Sequence, residues 1–197
     1  NTPHKKQERP FVRAKGLPVV TVSQGVARLN GAITPVTPGA TAVYDNQLVN
    51  GFTDWSWAAR QLDQSRLVRT APNAIEADLG NWSGLMFHTP GLAVTPSDVL
   101  ELWVNGGPSG GQSFRLTALR NGTVLGQVPV TTMLGRTVPA NTWSRVATTM
   151  SSLGVSSPMS KCGRTIDGNV GTTQPLLYVD DVRIVAAGTP TSTTSAP

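Results

Sequence analysis

The stretch Leu-Leu-Tyr-Val-Asp-Asp-Val-Arg-Ile-Val at 176–185 decides the fold. Its β-branched and apolar residues are typical of a buried strand, yet two adjacent carboxylates, Asp180 and Asp181, lie in its middle. Strict alternation places on one face Tyr178, Asp180, Val182 and Ile184, and on the other Leu177, Val179, Asp181, Arg183 and Val185. Either way, one aspartate shares the core face with large apolar side chains. An ionised carboxylate there must be paired, hydrogen-bonded or bound to a cation.

The composition argues against a helical bundle and favours a single β-sandwich with tails. Of 197 residues, 39% are hydrophobic and only 14% are charged, with 20 glycines and 15 prolines. No apolar stretch approaches the roughly 20 residues of a transmembrane helix. Cys162 is the only cysteine, so no intrachain disulfide can form.

The chain divides into three parts. Residues 1–41 are expected to form an extended basic arm with one or two strands, residues 42–187 a β-sandwich, and residues 188–197 a low-complexity Ser/Thr/Pro-rich linker or stalk. Within 1–16 the net charge is +4, which leaves only +1 of the total +5 for the rest of the chain. The basicity therefore belongs to the arm, and nucleic acid is not an expected partner. A solvated leader is the simplest interpretation of the arm, although an anionic polymer, a membrane surface or an acidic subunit would also suit its charge.

The spacing of apolar runs predicts an all-β, two-sheet antiparallel sandwich of the jelly-roll type. The clearest hairpin pairs 112–120 with 123–130 around Asn121-Gly122. The full set of expected strands is 42–45, 53–60, 74–79, 82–89, 98–105, 112–120, 123–130, 142–150 and 176–185.

Tryptophans are the strongest candidates for a binding surface. Trp55 and Trp57 are two residues apart, so in a strand they share a face, with Asp54 on the other. Indole faces stack on the C–H faces of sugars, and Trp57 and Trp82 are the best candidates for such contacts. Trp143, at the start of an expected strand, is instead expected in the core. Expected hydrogen-bonding partners for a ligand are Asp54, Asn105, Gln112 and Arg115.

The order of several segments resembles that of galactose-binding-like β-sandwiches, a fold used by many carbohydrate-binding modules. The resemblance covers about 42–185 and rests on Tyr44-Asp45, Asn50-Gly51-Phe52, Trp82-Ser83-Gly84-Leu85, Leu100 to Gly107, Trp143 to Val146, and Tyr178 to Val182. Residues 1–41 have no counterpart in it.

The resemblance implies a structural calcium ion that joins the first and last strands. Its ligands would be Asp45 and either Asp180 or Asp181, because hard cations take oxygen ligands. The alternative is an acid that is hydrogen-bonded or paired with arginine, for example Arg183 or Arg145.

Catalytic motifs are absent from the sequence. It contains no nucleophile elbow, no His-Glu-x-x-His, no cysteine cluster and no phosphate loop. A glycosidase needs two carboxylates about 5–10 Å apart, a separation that sequence does not reveal. We therefore expect a non-catalytic protein, with a glycosidase or lyase as the minor alternative.

Two functions are compatible with these features. The first is a secreted module, extracellular or at the cell surface, that binds a cell-wall or matrix polysaccharide by tryptophan stacking. The second is a structural subunit of an extracellular fibre or surface layer, a homopolymer in which Val19, Val20, Thr21 and Val22 add a strand to a neighbour's sheet. Sequons at Asn81 and Asn121 predict glycosylation, although a glycan on Asn81 would lie beside Trp82.

Overall fold

The computed structural model describes residues 39–80, 82–159, 162–167 and 171–187. The elements in these ranges are β1 Ala40–Tyr44, β2 Thr53–Asp54, β3 Arg60–Gln64, β4 Ala74–Ala77, β5 Gly84–His88, β6 Val99–Asn105, β7 Arg115–Arg120, β8 Thr123–Pro129, α1 Val130–Leu134, β9 Ser144–Thr149, β10 Cys162–Asp167 and β11 Leu177–Val185. The described part of the chain contains no helix that is long and apolar enough to cross a bilayer. The expected arm strand Val19–Val22, the tail 188–197 and Asn81 lie outside the described residues.

The strands form two antiparallel sheets. The six-stranded sheet has the order β3-β4-β11-β6-β9, with β1 also paired to β11, and the five-stranded sheet has the order β2-β5-β10-β7-β8. A small apolar void between them is lined by residues of both sheets, among them Leu102, Val182, Leu116 and Phe87. Both sheets therefore bury one face in a common core, and the predicted all-β sandwich is confirmed.

Strand β11 does not alternate as the sequence predicts, because a bulge interrupts it. Leu177 and Val179 belong to the core before the bulge, and Val182 and Ile184 belong to it afterwards. The pairing with β6 shifts between Asp180 and Arg183, and Asp181 has a left-handed backbone with φ of 49°. The core face thus switches from odd to even positions, and neither aspartate has to share it.

Strands β3 and β10 and the helix α1 were not expected from the sequence. The stretch 53–60, expected as one strand, contributes β2 to the five-stranded sheet and the first residue of β3 to the six-stranded sheet. Strand β10 pairs with both β5 and β7 in the middle of its sheet. Trp143 is only half-buried and precedes β9, so its expected core position was wrong.

Candidate functional site

Three exposed tryptophans lie near one edge of the five-stranded sheet. Trp55, Trp57 and Trp82 have exposed fractions of 56%, 53% and 65%. Beyond the end of β2, the backbone continues to pair with β5, since the amide of Trp55 donates to Met86 and that of Trp57 to Gly84. Strand spacing keeps both indoles on one side, as the sequence predicts, and that side is the outer face of the sheet.

Trp55 and Trp57 each pack against a residue of β5. The ring of Trp55 stacks on the imidazole of His88, with 3.9 Å between centroids and 14° between planes. The ring of Trp57 lies against the backbone of Gly84, where an added Cβ would come within 2.7 Å of it. Both rings therefore have one supported side while about half of each residue remains accessible to a ligand.

Asp54 points away from these rings and is already bonded. Its carboxylate accepts from the Arg60 guanidinium at 2.6 Å and from the backbone amide of Ser56 at 2.9 Å. Burial alone would raise the pKa of Asp54, but these hydrogen bonds outweigh it and hold the pKa below its ordinary value. Asp54 thus fixes the chain where it leaves β2.

Arg115 lies on the same sheet as the tryptophans, on β7. Its guanidinium donates to Gln127 at 3.2 Å, and the Gln127 amide donates to Thr117 at 3.2 Å. Leu116, the residue between Arg115 and Thr117, is fully buried in the core, so this polar row faces outward. Gln127 was missed from the sequence, although the Asn121-Gly122 hairpin places it opposite Thr117.

Asn105 and Gln112 do not reach the surface, so their expected role as ligand contacts needs correction. Both are almost fully buried. Asn105 accepts from the amide of Gly107 at 2.9 Å, while Gln112 donates to the carbonyls of Gly106 at 2.9 Å and Leu176 at 2.8 Å. These amides satisfy loop backbone groups and support the end of the sandwich.

The aspartates expected to bind calcium are Asp45, which accepts from the side-chain amide of Asn46 at 3.1 Å, and the acidic pair Asp180 and Asp181. Burial and then the negative charges of Asp180, Asp63, Asp45 and Asp181 raise the pKa of Tyr44 above its ordinary value. Asp180 accepts the backbone amides of Arg69 and Thr70, both at 3.0 Å. Asp181 accepts the guanidinium of Arg69 and the hydroxyl of Thr70.

This arrangement does not fit a calcium ion. Both oxygens of Asp180 and the Oδ2 of Asp181 accept hydrogen bonds, and the Arg69 guanidinium occupies the position of a cation beside Asp181. Among the described residues, no three acidic, histidine or cysteine side chains gather to hold a metal. The alternative of an arginine-paired acid fits the observed contacts, with Arg69 as the partner rather than Arg183 or Arg145.

Asn121 lies at the exposed tip of the β7–β8 hairpin, so the structure leaves this sequon accessible. Its glycosylation remains a prediction.

Comparisons with known proteins find one partial sequence match and several similar folds. No family model matches it. It is 27% identical over 145 residues to an endoglucanase of Dictyostelium discoideum, a match that spans 72% of this chain and 20% of that enzyme.

Solved structures with a similar fold include two modules. A family 29 module from Piromyces equi aligns with 74% of this chain and 88% of its own, with a TM-score of 0.46 and 9% identity. A family 11 module from Clostridium thermocellum, solved with a mixed-linked tetrasaccharide, aligns with 76% and 96%, with a TM-score of 0.48 and 12% identity. The chain resembles carbohydrate-binding modules in its fold. At such low identity the likeness concerns the fold alone.

Proposed function

We propose that this chain is a non-catalytic module, outside the cell, that binds a polysaccharide on the outer face of its five-stranded sheet. The observation that carries the proposal is the set of exposed indoles at Trp55, Trp57 and Trp82. Burying an indole gains substantial free energy, so rings left in water beside rigid supports are poised to stack on a ligand. The partial match to an endoglucanase supports a polysaccharide as that ligand.

The carboxylates support a non-catalytic role. A glycosidase needs one acid with a raised pKa and a second that is free to act as a nucleophile or a base. In the described residues, Asp54, Glu76 and Glu101 are each paired with arginine. Asp78 accepts the amide of Gly80, and Asp98 accepts that of Thr95. These five acids serve structural contacts. Asp180, whose pKa is raised by burial, and its neighbour Asp181 are both buried and bonded to Arg69 and Thr70, so neither faces a ligand.

Removing either supported indole should weaken polysaccharide binding strongly without unfolding the protein. Trp55→Ala and Trp57→Ala are each expected to weaken retention on amorphous cellulose or mixed-linkage β-glucan by about 10-fold to 100-fold. Since both residues are about half exposed, the melting temperature should change little. The matched control is Val124→Ala, which removes an exposed apolar side chain from the opposite edge of the same sheet. Retention of both tryptophan variants at wild-type strength would refute this surface as the binding site.

Assembly into a fibre or surface layer depends on residues 1–41, nearly all of which lie outside the described residues. Its test is light scattering of the full chain beside a chain that lacks 1–30. Large particles from the full chain and monomers from the truncated one would support the structural-subunit function. Monomers from both would leave the binding module as the function of this chain.

A further inference from the structure

The indole of Trp57 is held at two places besides its own backbone. Its Nε1–H donates to the carbonyl of Trp82 at 2.7 Å, a short and well-formed hydrogen bond. Its six-membered ring lies against Gly84, the one residue type without a Cβ to push it away. The indole N–H and the six-membered ring are therefore both held before any ligand arrives.

The carbonyl that holds Trp57 belongs to an unusual turn. The amide of Ser83 donates to the carbonyl of Gly80 at 3.2 Å, and the single hydroxyl proton of Ser83 lies within reach of the carbonyls of Gly80 and Asp78. Within this turn Trp82 has φ of 67°, a left-handed conformation that costs free energy for any residue except glycine. The ring of Trp82 recovers little of that cost, because it is 65% exposed.

We propose that the turn formed by Trp82 and Ser83, together with Gly84, couples Trp57 to Trp82, so that the two indoles act as one pre-ordered platform. The turn positions the Trp82 carbonyl, which orients Trp57, while the Trp82 ring meets the same ligand. A platform ordered in advance loses less conformational entropy on binding than two independent side chains. This inference rests on the proposed function only where it concerns the ligand.

The first test needs no ligand. Trp57 should show an indole N–H that exchanges with solvent at least about tenfold more slowly than that of Trp55, whose ring is held by stacking on His88. Nuclear magnetic resonance resolves the five indole N–H groups of the chain, and Trp→Phe variants assign them. In Trp82→Gly the slow exchange should persist, since glycine adopts the turn and keeps the carbonyl. Equal exchange at Trp57 and Trp55 would overturn the coupling.

The second test measures binding to mixed-linkage β-glucan. Trp57→Phe keeps a stacking ring but loses the donor, and we expect about a tenfold loss of affinity, against less than about threefold for Trp55→Phe. The losses from Trp57→Phe and Trp82→Gly should combine to less than their product, because both variants remove ligand contacts of the same ordered platform. Losses that multiply fully would overturn the proposal.

Gly84→Ala provides an independent variant, and Gly91→Ala is its control. A Cβ at Gly84 should displace the Trp57 ring, move its indole N–H signal and weaken binding, while a Cβ at Gly91 meets no atom within 4 Å and should change nothing. An unmoved Trp57 signal in Gly84→Ala would contradict the role of Gly84 in positioning the Trp57 ring. If the wild type binds no polysaccharide, the proposed function fails, but the exchange comparison still decides the coupling.

Discussion

Glu101→Ala is expected to lower the free energy of unfolding by about 3 kcal/mol, which corresponds to about 10 °C in melting temperature. Glu101 is fully buried on the outer side of β6, beneath two arginines that reach it from the neighbouring strands β9 and β11. Arg145 donates to one carboxylate oxygen and Arg183 to the other. Removal of the Glu101 carboxylate leaves these two guanidinium groups without this partner at the surface of the six-stranded sheet.

A second ion pair of the same sheet serves as the control. Arg66 pairs with Glu76, but its side chain is 69% exposed, so water already screens the pair. Arg66→Ala should therefore cost about 0–1 kcal/mol. Chemical denaturation of both variants at pH 7 makes the comparison. Equal losses would show that burial of Glu101 adds nothing to its ion pairs.

The contribution of Glu101 should also disappear in acid. Burial alone would raise its pKa, but the hydrogen bonds and charges of Arg145 and Arg183 outweigh it and hold the pKa of Glu101 below its ordinary value. The stabilisation is thus present at neutral pH, above the unfolded pKa, and is lost as the pH falls through the lower folded pKa. Below that folded pKa, the free energies of unfolding of Glu101→Ala and the wild type should converge.

The sequence predicts much of the fold because its core strands alternate clearly. It does not reveal β10, whose residues Cys162-Gly-Arg-Thr-Ile-Asp include a single aliphatic side chain, Ile166, in the core. This strand is recognisable only from the hydrogen bonds that β5 and β7 make to it. Likewise β3 is a polar edge strand, and its composition resembles that of a loop.

The site was predictable in part because alternation along a strand also determines which side chains share a face. The two-residue spacing of Trp55 and Trp57 determines a shared face wherever the strand lies. Their supports, His88 and Gly84, depend on the register between β2 and β5, which no local pattern encodes. Gln112 was misassigned because its burial depends on the loop at 175–176, which covers it from 63 and 64 residues away.

Asp180 is expected to make the protein more stable as the pH falls from about 7 to about 5. Burial foremost, and then the charge of Asp181, raises the pKa of Asp180 to about 6, against 3.8 for the ordinary group, although backbone amides partly oppose this. Between those values the folded protein holds a proton that the unfolded chain releases. The contribution of Asp180 to the free energy of unfolding is therefore fully present below the unfolded pKa. It is lost as the pH rises through 6, and the loss is about 3 kcal/mol at most.

Asp180→Asn removes this titration and should flatten the dependence of the unfolding free energy on pH in that window, whatever its effect on absolute stability. Denaturation of both proteins at several pH values between about 4 and 7 measures the two slopes. Parallel slopes would show that the proton is taken up elsewhere.

Calcium gives the sharpest test of the same residues, because the donor-filled acidic pair and the calcium site implied by the sequence resemblance predict different results. If Arg69 and the backbone amides satisfy the acids, millimolar calcium should leave the melting temperature at pH 7.5 unchanged. Arg69→Gln should then open Asp181 to the cation, so that only this variant responds. A rise in the wild type that Asp180→Asn abolishes would show instead that calcium binds the acidic pair beside the guanidinium. The closing strand would then be fastened by a metal, and the raised pKa of Asp180 would belong only to the calcium-free protein.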